Sequence, residues 1–537
     1  MKRLILFLSM LAVLLLTSCN EQKEGPSVPE APPTTVNVKV DFSVYTPDDR
    51  TAPLYTRLSP EPIKEFTPFT SPGAIYPFAG QFIGRGYAYR SFYDPRYENN
   101  FTYGFVDGSG TIVTDPVYTT VAPLEHAIDY TGLPFWYMSF QYDSADPHSF
   151  LYGLASMDGT FALPCRYEEI LGFDGRIIAF YPQGEGDPAS FEVYDFDGNL
   201  CFTSRDLPFA AELGNHRYSN SIASPYSYSE GLYTIPLYLS PERAKELGTR
   251  RRVLYYMTEE GEFLYGPFSH AEPFSDGVAI VEEPHAHACT YLRRDGTLFS
   301  HTYHELQPFR NGSAVVSVGD TALVKLIDHD ENVLLTAKHG LYPLEDGSLY
   351  TYTYSIDAVG YHTDHVYTCY DRQGQVLWEW EGRCDPLSSS LIRQGDTIVN
   401  PLTGKSVSIP YDSAVEYYHS PSDPYVIVSS EGETKFLDKD LHYPTADGYL
   451  FDPRYYFCTR SIMPGELLAN GLPFVGESDL MLFRTSGSPI GTYPHTGFAF
   501  AQIYPDHVVA ITDEDSTYMY DAEGQLFFCF PLNSMDD

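Results

Sequence analysis

The chain has 537 residues, of which 72 are acidic and 33 basic, and its formal net charge is −39. Phosphate binding needs a basic surface, so this charge argues against a nucleic-acid partner. Aromatic residues form 15% of the sequence, with 45 Tyr and 34 Phe but only 3 Trp, a composition typical of strand faces and cross-strand pairs.

Residues 1–19 have the pattern of a bacterial lipoprotein signal peptide. Lys2 and Arg3 precede an apolar run over residues 4–16, and Leu16-Thr17-Ser18-Cys19 resembles the lipobox. The apolar run is shorter than the ~20 residues of a membrane-spanning helix. We therefore expect lipidation of Cys19 and a lipid-anchored cell-envelope protein whose body lies outside the cytoplasm. An ordinary secretory signal with an incidental cysteine is the alternative.

Residues 20–50 are rich in Pro, Glu, Ser and Thr. Such a composition cannot bury a core, so it predicts a flexible tether. The folded body is expected over residues 51–537.

A sequence pattern recurs within this body between Pro273 and Leu349. Pro273-Phe274-Ser275-Asp276-Gly277 precedes one short apolar run, and Pro308-Phe309-Arg310-Asn311-Gly312 precedes the next. Gly277, Gly312 and Gly347 are spaced by 35 residues. Short runs of Val, Ile, Leu, Tyr and Phe bounded by Asx-Gly predict strands joined by tight hairpins. A period of this size indicates a repeat array, because one hairpin cannot bury its own apolar face.

A second motif resembles the WG-repeat (KWG-type) β-repeat family. Tyr103-Gly104-Phe105-Val106-Asp107-Gly108-Ser109-Gly110, followed by Pro116-Val117-Tyr118, is its best copy, and Tyr152-Gly153-Leu154 begins another. The resemblance covers most of residues 75–380, although Tyr replaces the family's Trp. It implies a repeat architecture and supplies no catalytic residues.

Turn signals recur along the body, mostly 35 to 50 residues apart, at Gly110, Gly159, Gly198, Gly261, Gly296, Asn332, Gly374, Gly404, Gly487 and Gly524, with Asp440 a doubtful addition. They predict ten or eleven hairpins. The expected fold is all-β, with antiparallel hairpins stacked as a β-propeller-like array in one large ring or in two lobes divided near residues 381–400. An open β-spiral or solenoid is the alternative. Two short helices are expected, at residues 240–248 and 464–471.

Two groups of residues are candidate binding sites. Tyr350, Tyr352 and Tyr354 alternate along one strand and therefore share a face, and Tyr361 lies nearby. Tyr has an apolar ring and a polar tip, so these residues form either part of the core or a platform for sugars or peptides. His285, His287 and Cys289 have metal-ligand character at strand spacing, although a plain loop suits the sequence better.

The seven cysteines beyond Cys19 are scattered and form no disulfide framework. Most are expected to be small buried residues, and a Cys369–Cys384 pair stays open.

No nucleophile elbow, phosphate loop, zinc-protease helix or dinucleotide fingerprint occurs in the sequence. We therefore expect a non-catalytic protein without a cofactor that binds a protein or glycan in the envelope or outside the cell. The alternatives are a propeller-type polysaccharide hydrolase or lyase, in which acidic groups converge, and a structural envelope protein.

Overall fold

The computed structural model describes most of residues 73–441, with gaps at 88–96, 119, 129–131, 142–149, 184–186, 215–224, 287, 318–322, 339, 358–360, 411–412, 419–424, 431–432 and 439. It also describes residues 466–468, 479–484, 489–494, 500–504, 508–512, 516–521 and 525–532. The predicted signal peptide, Cys19 and the tether lie outside these residues. Within them, no helix is long and apolar enough to cross a membrane.

The described chain is all-β, as predicted, and forms eleven antiparallel sheets of three or four strands that follow one another in sequence order. Sheet 1 comprises β1 (Ile75–Tyr87), β2 (Tyr97–Asp107) and β3 (Ile112–Tyr118). Sheet 2 comprises β4 (Thr120–Glu125), β5 (Gly132–Gln141), β6 (Phe150–Ser156) and β7 (Ala162–Tyr167). Sheet 3 comprises β8 (Glu169–Phe173), β9 (Arg176–Phe180), β10 (Phe191–Asp195) and β11 (Leu200–Thr203). Sheet 4 comprises β12 (Ser227–Ser229), β13 (Leu232–Tyr238), β14 (Arg252–Thr258) and β15 (Phe263–Phe268).

The next four sheets span the regular repeat and the region after it. Sheet 5 comprises β16 (His270–Ala271), β17 (Val278–Glu282) and β18 (Thr290–Arg293). Sheet 6 comprises β19 (Glu305–Leu306), β20 (Ser313–Ser317), β21 (Val324–Asp328) and β22 (Val333–Ala337). Sheet 7 comprises β23 (Tyr342–Pro343), β24 (Leu349–Ile356), β25 (His362–Tyr370) and β26 (Val376–Glu381). Sheet 8 comprises β27 (Asp385–Pro386), β28 (Ile392–Gln394), β29 (Thr397–Val399) and β30 (Ser406–Ser408).

The last three sheets lie in the C-terminal part of the chain. Sheet 9 comprises β31 (Ala414–Tyr418), β32 (Tyr425–Ser430) and β33 (Glu433–Asp438). Sheet 10 comprises β34 (Glu466–Leu468), β35 (Asp479–Arg484) and β36 (Pro489–Pro494). Sheet 11 comprises β37 (Phe500–Ile503), β38 (Val509–Thr512), β39 (Ser516–Tyr520) and β40 (Leu526–Pro531).

One of the two predicted helices is confirmed. Helix α1 (Pro241–Glu246) begins after Ser240, whose side chain accepts a hydrogen bond from the Arg243 amide, and Gly248 follows its end with a positive φ of 59°. The prediction of a second helix at 464–471 is wrong for the described residues 466–468, which form β34. That segment pairs with β35, and this tertiary pairing overrides its local helix preference.

The 35-residue period corresponds to a row of hairpin tips. Gly277, Gly312 and Gly347 have φ values of 81°, 83° and 81°, a region that costs glycine little. Asp276 and Asn311 precede two of them, also with positive φ, as type I′ turns require. The Gly312 amide donates to the Asp276 carboxylate, and the Ser275 hydroxyl donates to the Phe309 carbonyl at 2.7 Å. Consecutive tips are therefore hydrogen-bonded to each other. At the Asn332 turn, the residue with positive φ is Glu331.

The Tyr-Gly motif requires glycine because the backbone of the neighbouring strand lies very close to it. A Cβ atom on Gly104 would lie 2.6 Å from the Thr114 carbonyl oxygen, and one on Gly153 would lie 2.7 Å from the Leu163 carbonyl oxygen. Both contacts are shorter than a carbon–oxygen pair tolerates. Only glycine therefore fits at these positions of the paired strands β2–β3 and β6–β7.

Neighbouring sheets pack face to face through apolar clusters, which join sheets 1 to 9 in sequence. Sheet 11 packs on sheet 1, where Phe78 and Phe528 have ring centroids 5.0 Å apart. The Thr517 hydroxyl also donates to the Ala79 carbonyl at 3.0 Å. The first and last described sheets therefore meet, as they do in a propeller, where closure removes exposed sheet edges.

Residues 381–400, near which the sequence suggested a division into lobes, form most of sheet 8. Its core residues contact both neighbours. Ile392 and Val399 pack with Trp378 of sheet 7, and Leu391 and Ile398 pack with sheet 9.

A candidate binding platform on sheet 7

The three alternating tyrosines of β24 lie on one face of sheet 7, as the sequence predicted. Tyr350, Tyr352 and Tyr354 are each half-buried. The register places Tyr350 opposite Tyr342 of β23 and Tyr352 opposite Tyr367 of β25. Tyr367 in turn lies opposite Trp380 of β26, so aromatic side chains continue across all four strands.

We call this surface the aromatic platform, and it consists of Tyr342, Tyr350, Tyr352, Tyr354, His362, His365, Tyr367 and Trp380. The tyrosine rings in contact have centroids 5.2–6.5 Å apart and planes inclined by 18–31°. His362 stacks on Tyr354 with centroids 3.9 Å apart, and His365 lies 6.4 Å from Tyr367. The tyrosine rings therefore share nearly one orientation, whereas the His365 ring is inclined by 41° to Tyr354 and by 54° to His362. Tyr361, which the sequence grouped with them, is 70% exposed and is not part of this row.

The platform is partly uncovered because sheet 7 is longer than the sheet packed on it. Strands β24 and β25 have 8 and 9 residues, whereas those of sheet 8 have 2 or 3. On the same face, Cys369 and Trp378 are 0% and 5% exposed and pack under sheet 8. Tyr367 and Trp380 pack partly against this covered cluster, whereas Tyr354, His362 and His365 lie farther along the strands.

Polar groups lie beside the rings. The pKa of Tyr350 is raised, first by burial and then by the neighbouring Tyr352 and the Asp385 carboxylate. Burial followed by Cys384 and Asp385 raises the pKa of Tyr367. The Arg383 Nε–H donates to His365 Nε2 at 3.2 Å. The platform therefore combines apolar ring surface with a carboxylate and N–H groups, as binding sites for small polar ligands do.

The metal hypothesis for His285, His287 and Cys289 gains no geometric support. His285 lies in a turn, where its Nε2 is hydrogen-bonded to the Gly248 carbonyl, and His287 lies outside the described residues. Cys289 is half-buried and forms an isolated bridge with Tyr303. Among the residues that the structure describes, no group of three or more His, Cys, Asp or Glu side chains is placed to hold a metal ion.

Three of the six cysteines in the described part of the chain are buried, as small apolar residues are. Cys165, Cys369 and Cys384 are buried free thiols, whereas Cys201, Cys289 and Cys529 are free and more accessible. Cys369 and Cys384 share one apolar cluster without forming a disulfide. Cys458 lies outside the described residues.

Acidic groups with catalytic character are found in sheet 3, away from the platform. Burial raises the pKa of Glu169 to about 7, in the range of a general acid. Glu192 is 4% exposed and accepts hydrogen bonds at 2.7 Å from both Tyr167 and Tyr194. Glu192 and Ile170 are both paired with Ala179, so their side chains are on the same face of the sheet. Glu169 precedes Ile170 in the strand, so its side chain is on the opposite face. They cannot flank one glycosidic bond as hydrolysis requires.

A Ser–His–Glu group between sheets 5 and 6 also lacks the geometry of a nucleophile relay. His301 Nδ1 lies 2.8 Å from both the Ser300 hydroxyl and Glu331 Oε2. A relay needs the hydroxyl and the carboxylate on opposite ring nitrogens. Ser300 also donates directly to Glu331 at 2.7 Å, so the three side chains form a link between sheets.

One short segment of the chain matches a known family model. Residues 103–126 match the sequence model of the WG containing repeat, which covers the end of β2, β3 and β4. No curated protein matches the chain.

The chain is similar to several solved structures at low identity. A eukaryotic initiation factor aligns with 10% identity and a TM-score of 0.33, over 80% of this chain and 94% of that one. Apo AztD from Citrobacter koseri aligns with 11% identity and a TM-score of 0.24, over 67% of this chain and 95% of that one. A protein of unknown function from Bacteroides caccae aligns with 14% identity and a TM-score of 0.17, over 43% of this chain and 90% of that one.

Proposed function

We propose that this protein is a non-catalytic, lipid-anchored binding protein of the bacterial cell envelope, and that it holds an extracellular glycan on the aromatic platform of sheet 7. The repeat array is the rigid scaffold, and the platform is the recognition surface. Cys19 is the site of lipidation that attaches the protein to the membrane.

The observation that carries this proposal is the run of half-exposed rings left partly uncovered by sheet 8. Other large aromatic side chains, such as Trp136, Tyr233 and Phe105, are almost fully buried between sheets. Burying rings is favourable, so a folded protein gains little by leaving eight of them partly in water on one face of sheet 7. A sugar has apolar C–H faces and polar hydroxyl edges, which match the ring surface and the phenol tips.

A glycan fits the platform better than a peptide strand does. A peptide that extends a sheet needs a free strand edge, whereas the platform is the face of a sheet whose central strands are paired on both sides. The ligand therefore contacts side chains and not the backbone ladder.

The test is a glycan array with the full chain in a detergent that contains no sugar, run beside an assay for released reducing ends. Binding without release of reducing ends is the expected result. Release of reducing ends would replace the proposal with a polysaccharide-cleaving enzyme. No signal in either assay would exclude glycan binding and point to a protein partner or a structural role. Cross-linking on intact cells would distinguish these two.

A further inference from the structure

Four rings of the aromatic platform form one continuous row that crosses sheet 7 diagonally from β23 through β24 to β25. The ring centroids of Tyr342 and Tyr352 are 5.9 Å apart, and those of Tyr352 and Tyr354 are 6.2 Å apart. His362 completes the row, with its centroid 3.9 Å from that of Tyr354. The two end members are exposed and the two central members are half-buried, so each residue of the row has accessible surface.

The row ends at the limits of sheet 7 on both sides. At one end, Tyr342 is 37% exposed and belongs to β23, the edge strand of the sheet. At the other end, His362 is the first residue of β25. Its partner in the strand register is Ile356, which is the last residue of β24 and is 63% exposed. Both ends of the row are therefore accessible.

An open row and a closed pocket select different parts of a glycan. A pocket surrounds most of its ligand, which suits a terminal sugar, because an internal sugar is joined to a neighbour on each side. A row of rings on the face of a sheet contacts its ligand from one side only, so the neighbouring sugars do not prevent binding. Hydrophobic stabilisation is roughly proportional to the area removed from water. Affinity for such a row should therefore rise with the number of sugar units until the row is covered.

We infer, on the basis of the proposed function, that the platform binds an internal segment of a polysaccharide, several sugar units long, and not a chain end. The segment lies along the row from Tyr342 to His362. The polysaccharide continues past the edge strand β23 on one side and past the turn between β24 and β25 on the other. The ligand class is therefore a polymer, and one polymer molecule can hold several copies of this protein.

The dependence of affinity on ligand length is the first test. Isothermal titration of the full chain would use neutral oligosaccharides of one to eight units from β-glucan, mannan and xylan, together with the series of the glycan that binds most strongly on the array. Affinity is expected to rise about tenfold from the disaccharide to the hexasaccharide, because more ring contacts form, and then to level off. Equal affinity for the monosaccharide and the hexasaccharide would overturn the inference while the proposed function stands.

Modification of the ligand ends is the second test. Borohydride opens the sugar ring at the reducing end of an octasaccharide, and an acetal blocks its non-reducing end. Each modification is expected to change the affinity by less than about twofold, because the sugars on the row are internal. Loss of binding after either modification would assign the site to that chain end and would also overturn the inference.

A variant with a shorter row is the third test. Tyr342→Ala removes the exposed ring at one end and is expected to weaken octasaccharide binding roughly three- to tenfold but disaccharide binding less than about twofold. The reason is that a disaccharide still fits on the three remaining rings. Tyr361→Ala, at a position that is 70% exposed and outside the row, is the control and is expected to change neither affinity. An equal loss for both ligands in Tyr342→Ala would contradict binding along the row. If the unmodified protein binds no glycan on the array or in titration, the proposed function fails together with the inference.

Discussion

Tyr352 and Tyr367 face each other across β24 and β25, with ring centroids 5.7 Å apart and ring planes inclined by 30°. They are directly paired in the strand register, and each contacts a further tyrosine along or across the sheet. Directly opposed aromatic residues stabilise antiparallel sheets. The same pairs therefore support sheet 7 and form the centre of the aromatic platform.

Replacing a ring at the outer part of the platform tests its role in binding. Tyr354→Ala removes the ring on which His362 stacks and is expected to weaken glycan binding about tenfold, as loss of one aromatic binding contact does. Tyr361→Ala is the matched control, because Tyr361 is 70% exposed and outside the row. Titration calorimetry measures both. Equal affinity for the two variants would contradict the assignment of the platform.

The repeat motif itself predicts a sharp steric requirement at Gly104. Gly104→Ala places a methyl group 2.6 Å from the Thr114 carbonyl oxygen and is expected to lower the free energy of unfolding by about 3 kcal/mol, the upper range for overpacking. Gly73→Ala, where a Cβ atom meets nothing within 4 Å, is expected to change it by less than about 0.5 kcal/mol. Chemical denaturation measures the difference, and similar values for the two variants would refute the close approach.

Asp346 links sheets 7 and 8 and is expected to make stability sensitive to acid. Its carboxylate accepts hydrogen bonds from the Ser348 hydroxyl at 2.6 Å and from the Ser389 amide at 2.5 Å. Burial alone would raise its pKa, but these hydrogen bonds outweigh burial and lower it. A lowered pKa contributes stability above the unfolded-state value of about 3.9, and that contribution is lost as the pH falls through the folded-state pKa.

Asp346→Ala is therefore expected to cost about 1–3 kcal/mol at pH 7, because the Ser348 hydroxyl and the Ser389 amide lose their acceptor. The cost should shrink as the pH falls below about 4. Glu345→Ala, at the exposed neighbouring position, is the control. Unfolding curves between pH 3 and pH 7 provide the measurement, and a cost independent of pH would be inconsistent with an ionised Asp346.

Glu169 has the opposite pH dependence. Burial raises its pKa to about 7, so its folded form favours the protonated carboxyl group. Stability is then highest below the unfolded-state pKa of about 4.3 and falls as the pH rises through 7. Glu169→Gln is expected to raise the Tm at pH 8 and to leave it nearly unchanged at pH 4. A Tm change of equal size at both pH values would exclude a raised pKa.

The hairpin tips and the shared face of three tyrosines were predictable because both depend on local rules. A positive φ selects glycine at positions such as Gly277 and Gly312, and strand alternation alone places Tyr350, Tyr352 and Tyr354 together. Helix α1 was also predictable, since Ser240 and Gly248 supply its end signals. The segment around β34 was not, because its pairing with β35 is a tertiary contact.

The remaining groups of the platform could not be predicted from the sequence. His365, Tyr367 and Trp380 alternate with other residues in the same way as the tyrosines of β24, which is a usable signal for a shared face. Their alignment with β24 depends on register, and their exposure depends on the short strands of sheet 8. Asp385 belongs to a different sheet, so only its position in the fold brings it to Tyr350.

The emission of Trp380 during glycan titration tests the central claim most directly. The chain has 3 tryptophans, and Trp136 and Trp378 are 1% and 5% exposed between sheets. A ligand on the platform can therefore contact only Trp380. A saturable change in emission with a neutral hexasaccharide, which is lost in Trp380→Phe and kept in Tyr361→Ala, is the predicted result. Glycan binding by calorimetry without any change in Trp380 emission would show that the ligand binds elsewhere and would contradict the account.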